Sequence, residues 1–387
     1  VSWKDGFRRF LDADSERLHF AAHSHHLWPD VSFEAHQQAW LDAARFADDK
    51  WDTVFGEIVP AARRHIANEL SLPSPDSIVF APNTHEFVLR LVSCLGPRPR
   101  VVTTDSEFHS FERQMRRLEE AGEIDVVRVA SEPFASFNER LAAASKGADL
   151  VFFSHVFFNS GAVVQGLDAL VSALPSSAMV VIDGYHGFGA VPTDLSRVAA
   201  RAFYLAGGYK YAMSGEGVCF LHVPTSALAL RPRNTGWFAS FEALDHPLPA
   251  KRGEGPPPVP FSPGAARFMG ATFDPSGLYR FNAVQTWRSH VQLTTERNRA
   301  HAHLLQSAFL DGLPPGPLNA SQLVVPTAER GQFLTFRTPD AGAICATLKL
   351  HRVITDSRGD RLRFGFGPYQ DLDDVRELHA RMVRALR

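Results

Sequence analysis

From Asp76 to Val223 the chain repeats one unit, a short run rich in Val, Ile and Phe followed by a stretch whose apolar residues have helical spacing. The runs are Ser77–Phe80, Arg100–Thr104, Asp125–Val129, Leu150–Val156, Met179–Asp183, Ala202–Ala206 and Val218–Val223. Continuously apolar runs suit strands covered on both faces, and parallel strands need long crossovers between them. Phe137–Ala144 and Leu167–Leu174 have the amphipathic spacing of such covering helices. The repeat therefore predicts an α/β fold built on a mainly parallel seven-stranded sheet.

The flanks read differently. The 387 residues exceed what one core usually holds. Residues 1–50 combine the histidine-rich segment LHFAAHSHHLWPD with a helical run, Ser32–Phe46, and read as an arm that must pack on something else. Residues 51–277 hold the sheet, and 278–387 read as a small α+β lobe. In that lobe a long helix is expected over Tyr279–Leu310, then a strand at Phe333–Arg337, a helix at Ala341–Leu350, a strand at Leu362–Phe366 and a terminal helix from Leu372. Pro247–Pro263 is too rich in proline and glycine for regular structure and predicts a long loop.

Net charge is −2, with 45% apolar and 21% charged residues, which gives no electrostatic reason to expect nucleic acid or an anionic membrane as partner. A small neutral or zwitterionic ligand fits better. Cys94, Cys219 and Cys345 are far apart in apolar stretches, without the spacing of a zinc or redox site, and are expected as buried thiols. No segment reaches the roughly 18–20 apolar residues of a membrane span, and VSWKDGFRRF lacks a signal-peptide core, so a cytoplasmic location is expected. His23, His25 and His26 have no acidic or thiol partner at metal-ligand spacing, and no metal is expected.

The chemistry concentrates in two segments, DGYHGFGAVPTDL starting at Asp183 and YLAGGYKYAMSGEG carrying Lys210. Asp183 closes an apolar run, so it would project from the carboxyl edge of a parallel strand, where open α/β sheets bind ligands. Lys210 is one of only six lysines and sits just past another strand among glycines and aromatics, where desolvation favours the neutral, nucleophilic amine. A carboxylate that keeps a pyridine nitrogen protonated and a lysine that forms a Schiff base are what pyridoxal 5'-phosphate (PLP) requires. In APNTHEFVLRLVSCL a polar turn runs into an apolar helix, a fit both for phosphate binding at a helix N-terminus and for simple capping by Asn83 or Thr84.

These segments, with LHFAAHSHHLWPD, NTGWF, ARFMGAT and HRVITDSRGDRLRFGFGPY, resemble the class V aminotransferase family over almost the whole chain, and kynureninases more than cysteine desulfurases. The resemblance implies a fold type I PLP enzyme that is a homodimer and takes a small-molecule amino-acid substrate. It implies that Asp183 pairs with the pyridine nitrogen, His186 lies near the ring hydroxyl, and Tyr209, Thr84 and His85 hold the phosphate. Trp237 and Thr272 would complete that cup, Thr272 from the neighbouring subunit, although both also suit plain packing. Phe108 takes the position where the family stacks an aromatic ring on the cofactor, and Arg363 that of the arginine that binds the substrate α-carboxylate, with Arg358 and Arg361 as competitors. His25 and His26 fall at the mouth of the site and would bear on substrate choice.

Three residues depart from kynureninases: Phe157 replaces an asparagine, Phe111 an aspartate close to the ring, and Tyr185 an alanine. The readings kept open are therefore a kynureninase-like hydrolase cleaving a Cβ–Cγ bond, a class V aminotransferase, and a non-catalytic PLP-fold binding protein. Desulfuration is disfavoured because Val353–Arg361 contains no thiol.

Overall fold

The computed structural model describes residues 2–241, 258–325 and 329–386. Its main sheet has seven strands, here β1 (Ile78–Ala81), β2 (Arg100–Thr104), β3 (Asp125–Val129), β4 (Leu150–Ser154), β5 (Met179–Asp183), β6 (Ala202–Gly207) and β7 (Cys219–His222), in the order β1-β7-β6-β5-β4-β2-β3. All neighbours pair in parallel except β7, which runs antiparallel to both β1 and β6. The connection Gly208–Val218 explains the exception: it is shorter than the dozen or more residues a parallel crossover takes, so the chain can only turn back. Every residue of β1, β4, β6 and β7 is buried, as expected of strands covered on both faces.

Strand direction gathers the chemistry on one rim. Ser154 and Asp183 end β4 and β5 as register partners, and Gly207, the last residue of β6, pairs with Cys219, the first of β7. Cys219 also pairs with Ala81, whose strand leads directly into the helix Thr84–Val92.

The helix expected over Tyr279–Leu310 is two helices, Ser276–His290 and Thr295–Asp311. Gln292 takes a positive φ of 54°, which breaks the first, and the Thr294 hydroxyl accepts from Arg297 N at 3.3 Å, which starts the second. The break separates two cores. Leu278, Tyr279 and Phe281 pack in the large-sheet core, whereas Ala302, Leu305 and Phe309 pack with the three-stranded sheet β8 (Phe333–Arg337), β9 (Asp356–Arg358) and β10 (Arg361–Gly365).

The N-terminal segment crosses both. Leu18–His19 pairs in parallel with Val353–Ile354, while Trp3, Phe7, Ala22 and Leu27 form a third cluster with Tyr211, Val284, Phe333 and Tyr369. Of the three free thiols only Cys219 is buried; Cys94 and Cys345 are half-buried. Of the loop expected over Pro247–Pro263, residues 247–257 lie outside the described residues. No helix among those described is long and apolar enough to cross a membrane.

Candidate active site

A cavity of about 1120 Å³ opens on the carboxyl rim, and Thr84, Phe108, Asp183, Tyr185, Tyr209 and Lys210 are among its walls. The sheet places Asp183 by strand direction alone. A tight turn then follows, in which a Cβ at Gly184 would come within 1.9 Å of the Tyr204 ring, so that position must stay glycine. Asp183 Oδ1 accepts from Tyr185 N at 2.8 Å, and among the described residues Oδ2 has no hydrogen-bond donor. Burial raises the Asp183 carboxyl above its ordinary value, while that hydrogen bond and Lys210 pull the other way.

Lys210 is 5% exposed, and burial lowers its amine to about 7, with nearby Arg363 adding to the effect and Asp183 opposing it. Its Nζ lies 2.8 Å from His186 Nε2, which is also 3.1 Å from the His23 carbonyl. A neutral imidazole nitrogen is either donor or acceptor, so Nε2 serves one of these two at a time. Burial holds His186 neutral, well below the usual histidine range.

Where the helix Thr84–Val92 meets the cavity, Asn83 caps it by accepting from Glu86 N at 3.0 Å. Capping therefore falls to Asn83, and Thr84 and His85 remain on the cavity wall, with His85 Nδ1 buried and without a partner. Tyr209, on the cavity wall, stacks at 5.1 Å on His25, whose exposed side chain is not itself part of that wall. Phe108 is not plain core: it is 37% exposed, and Lys210 Nζ sits 5.3 Å from its ring centre.

Arg363 approaches from β10 behind the wall residue Phe158, whose carbonyl accepts from Nη1, while Nη2 is paired with Asp356. The competitors are committed elsewhere, Arg361 to Glu132 at 2.8 Å and Arg358 to Asp356 at 2.8 Å from a half-exposed position. His23 stacks on Phe333 with its Nε2 3.7 Å from Asp356.

Several expected residues are not brought to the cavity. His26 is buried among Phe7, Tyr211 and Tyr369 with Nδ1 bound to the Leu27 carbonyl, so it is a core residue and not a mouth residue. Trp237 donates to Thr272 Oγ1 at 3.0 Å on an exposed surface, where Phe238 and Phe241 hold its ring. Phe111 stacks on Phe152 at 3.8 Å and Phe157 packs on Phe137, both inside the large core, so neither replacement strips a polar group from the cavity wall.

Sequence reasoning missed Glu107. It is fully enclosed and accepts from Thr104 Oγ1 at 2.6 Å, Ser154 N at 3.1 Å and Ser154 Oγ at 2.6 Å. Burial raises its carboxyl to about 8, Asp183 adding to the shift against those three hydrogen bonds. An acid set beside Phe108 at a strand-to-helix junction was the available signal. Asp356, the partner of Arg363, was also missed, although it lies two residues before Arg358 in the same motif. Among the described residues no group of His, Cys, Asp or Glu is arranged to hold a metal.

The residues fit PLP: a buried amine without a carboxylate bound to it, a carboxylate with a free oxygen, a helix N-terminus beside an orphaned imidazole nitrogen, and an exposed aromatic face in one cavity. With the mostly parallel sheet behind them, they define an enzyme fold of the PLP-dependent type I class. The chain belongs to the class-V aminotransferase family, which matches residues 45–315, and residues 299–382 match the kynureninase C-terminal domain.

Among curated proteins, the chain is 27% identical over 200 residues to isopenicillin N epimerase from Streptomyces clavuligerus, covering 51% of this chain and 43% of that protein. It is 25% identical over 293 residues to kynureninase from Pseudomonas fluorescens, covering 72% of this chain and 65% of that one. The match thus spans less than half the length of the epimerase and just under two-thirds of the kynureninase. Among solved structures, the cystine C–S lyase C-DES superposes with a TM-score of 0.81 at 18% identity, covering 97% of this chain and all of that one. A cysteine desulfurase from Thermococcus onnurineus gives 0.78 at 18% identity, covering 100% and 98%. These two likenesses speak for the fold.

Proposed function

We propose that the chain is a kynureninase-like hydrolase that cleaves the Cβ–Cγ bond of a 2-amino-4-oxo acid. The observation that carries the reading is the match of residues 299–382 to the kynureninase C-terminal domain, the stretch that contains Arg363 and its partner Asp356. When bound, PLP supplies an electron sink that makes bonds at the substrate's Cα and Cβ labile. Asp183 would pair with its pyridine nitrogen, Lys210 would hold it covalently, and the Thr84 helix with His85 and Tyr209 would take its phosphate.

The protein's part in the reaction is positioning and proton transfer. Arg363 orients the α-carboxylate, and Lys210 Nζ, close to neutrality because it is buried, takes the Cα proton with His186 beside it. Water adds to the C4 carbonyl and its oxygen stays with the departing carboxylic acid; the Cβ–Cγ bond breaks with its electron pair going to Cβ, which takes up a proton derived from that water, and Lys210 returns the proton it took to Cα, which completes alanine. Exposed Trp237 and Thr272 support a homodimer in which they face the partner's cavity. We also divide the chain into an arm (1–50), a large unit (51–277) and a small unit (278–387), with the helix Ser276–His290 packing on the large side of that line.

The test is product analysis. Borohydride reduction of the PLP-loaded protein should fix the cofactor on Lys210. Kynurenine, 3-hydroxykynurenine or a smaller 4-oxo amino acid should then yield alanine. Keto acid with an aminated acceptor would make the enzyme an aminotransferase, and inversion at Cα without cleavage would make it an epimerase.

A further inference from the structure

His23 touches both sides of the site through different groups. Its carbonyl lies 3.1 Å from His186 Nε2, which is itself 2.8 Å from Lys210 Nζ. Its ring Nε2 lies 3.7 Å from Asp356 Oδ2, the oxygen paired with Arg363 Nη2. The ring is firmly seated. Gly365, at the end of β10, donates its N–H to the Phe20 carbonyl at 2.7 Å and so holds the N-terminal arm in place. A Cβ on Gly365 would come within 2.3 Å of His23 Nδ1, and Phe333 stacks on the imidazole at 4.7 Å.

Yet the ring makes no polar use of its seat. His23 is fully buried, and among the described residues neither ring nitrogen has a hydrogen-bond partner. Burial, with nearby Arg363 adding to it, holds the imidazole neutral, well below the usual histidine range, so it carries one N–H. A buried donor without an acceptor costs stability. Asp356 is the acceptor within reach. Its Oδ1 is bound to Arg358 Nη1 at 2.8 Å and its Oδ2 to Arg363. A carboxylate that took the Arg363 fork would displace Oδ2 and leave a buried anionic oxygen without a donor. A shift of about 0.8 Å would close the 3.7 Å gap to His23 Nε2 to an ordinary hydrogen bond of about 2.9 Å.

We infer that His23 is a positioning residue for the substrate carboxylate: its Nε2–H takes over Asp356 Oδ2 when that carboxylate takes Arg363. This rests on the reading of Arg363 as the carboxylate clamp. No proton changes hands, because Oδ2 accepts from Nε2 in place of Nη2. The exchange lowers the cost of opening the Arg363–Asp356 pair, and it does so only for a ligand that brings its own negative charge to the guanidinium. His23 therefore bears on the preference for an acid over its neutral analogue.

The experiment titrates the PLP-loaded protein with L-alanine and with L-alaninamide, which lacks the carboxylate charge, and reads the change in cofactor absorbance. Wild type should bind alanine about tenfold more tightly than the amide, the effect of a hydrogen bond to a charged group. His23→Leu, which has no donor, should weaken alanine about tenfold and alaninamide by less than about twofold. His23→Gln, whose amide nitrogen can stand where Nε2 does, should bind alanine within about threefold of wild type. In an Asp356→Asn background His23→Leu should have no further effect on alanine, since the charge it serves is gone. Equal weakening of both ligands by His23→Leu would make the histidine a packing residue, and unchanged alanine binding would mean that Asp356 does not need it; either result overturns the proposal while the Arg363 reading stands. Wild type that binds alanine and alaninamide alike would overturn the Arg363 reading, and the proposal with it.

Discussion

On the floor of the cavity Lys210 and Asp183 are buried with valences to spare, whereas on the C-terminal side Arg363 is buried with its guanidinium already shared between the Asp356 carboxylate and the Phe158 carbonyl. Both arrangements desolvate charge, but they resolve it differently. The floor leaves Asp183 Oδ2 and the Lys210 amine facing open space, and their titration moves toward neutrality to compensate. The C-terminal side keeps its charge and supplies a counter-charge. A floor of this kind gains from a ligand that brings its own pyridinium and phosphate, while the C-terminal side must give up part of an existing pair before it can take a substrate carboxylate.

The sharpest way to break the comparison is Asp183→Asn. The amide keeps the turn bond to Tyr185 N but cannot hold a proton on the pyridine, so activity on whichever substrate is established should fall by roughly 10²–10⁴-fold, the range seen when a proton-holding group is lost. Borohydride should still fix PLP on Lys210. Undiminished turnover would mean that the free Asp183 oxygen is not part of the chemistry.

On the other side, Asp356→Asn removes the counter-charge while leaving an acceptor for Arg363. Loss of a charged hydrogen-bond partner in a buried pair should lower stability by about 2 kcal/mol. Because the substrate carboxylate no longer competes with Asp356, KM should fall several-fold with kcat little changed. Urea unfolding and steady-state kinetics read both quantities. An unchanged KM with unaltered stability would make Asp356 a bystander, and the contrast with the floor would disappear.

The sheet was legible because its code is local: continuous apolar runs and crossover lengths specify buried parallel strands without knowledge of partners. β2, β3 and β5 fall on the expected residues, and β7 could have been predicted antiparallel from the shortness of Gly208–Val218. Asp183 and Lys210 were legible because strand direction alone sends both to one rim. What could not be read depended on side-chain direction at turns and ends. His26 follows His25 by one residue yet enters the aromatic core, Phe157 enters the core one residue before Phe158 lines the cavity, and Trp237 points to a surface and not to the cavity. The break at Val291–Thr294 was hidden because helical periodicity continues on both sides of it, each serving a different core. Glu107 was overshadowed by Phe108, since an acid next to a strand end reads as solvated until a neighbouring strand covers it.

The effect expected at Glu107 is read in stability and not in turnover, and it tests whether the floor as a whole is held in its neutral form. Burial raises this carboxyl to about 8, whereas in the unfolded chain it titrates near the ordinary value of about 4.3. Between those limits the folded protein keeps a proton that the unfolded chain has released. Its contribution to stability is therefore complete below about 4.3 and is lost as pH rises toward 8, at up to about 1.4 kcal/mol per pH unit. Buried His26 and His155 act with the opposite sign, since burial lowers each to about 4 and stability rises with pH until the unfolded histidines lose their protons. Lys210, lowered to about 7, likewise adds stability as pH rises above that value. Comparing wild type with Glu107→Gln removes these shared contributions, because the amide mimics the protonated acid and does not titrate. Urea midpoints of the two cofactor-free proteins, taken from pH 5.5 to 8.5, should diverge steadily in favour of the variant and run parallel beyond about pH 8. A difference that stays flat across that range would mean that Glu107 is ionised, its charge carried by the Thr104 and Ser154 hydrogen bonds, and that the floor tolerates a second full negative charge beside Asp183.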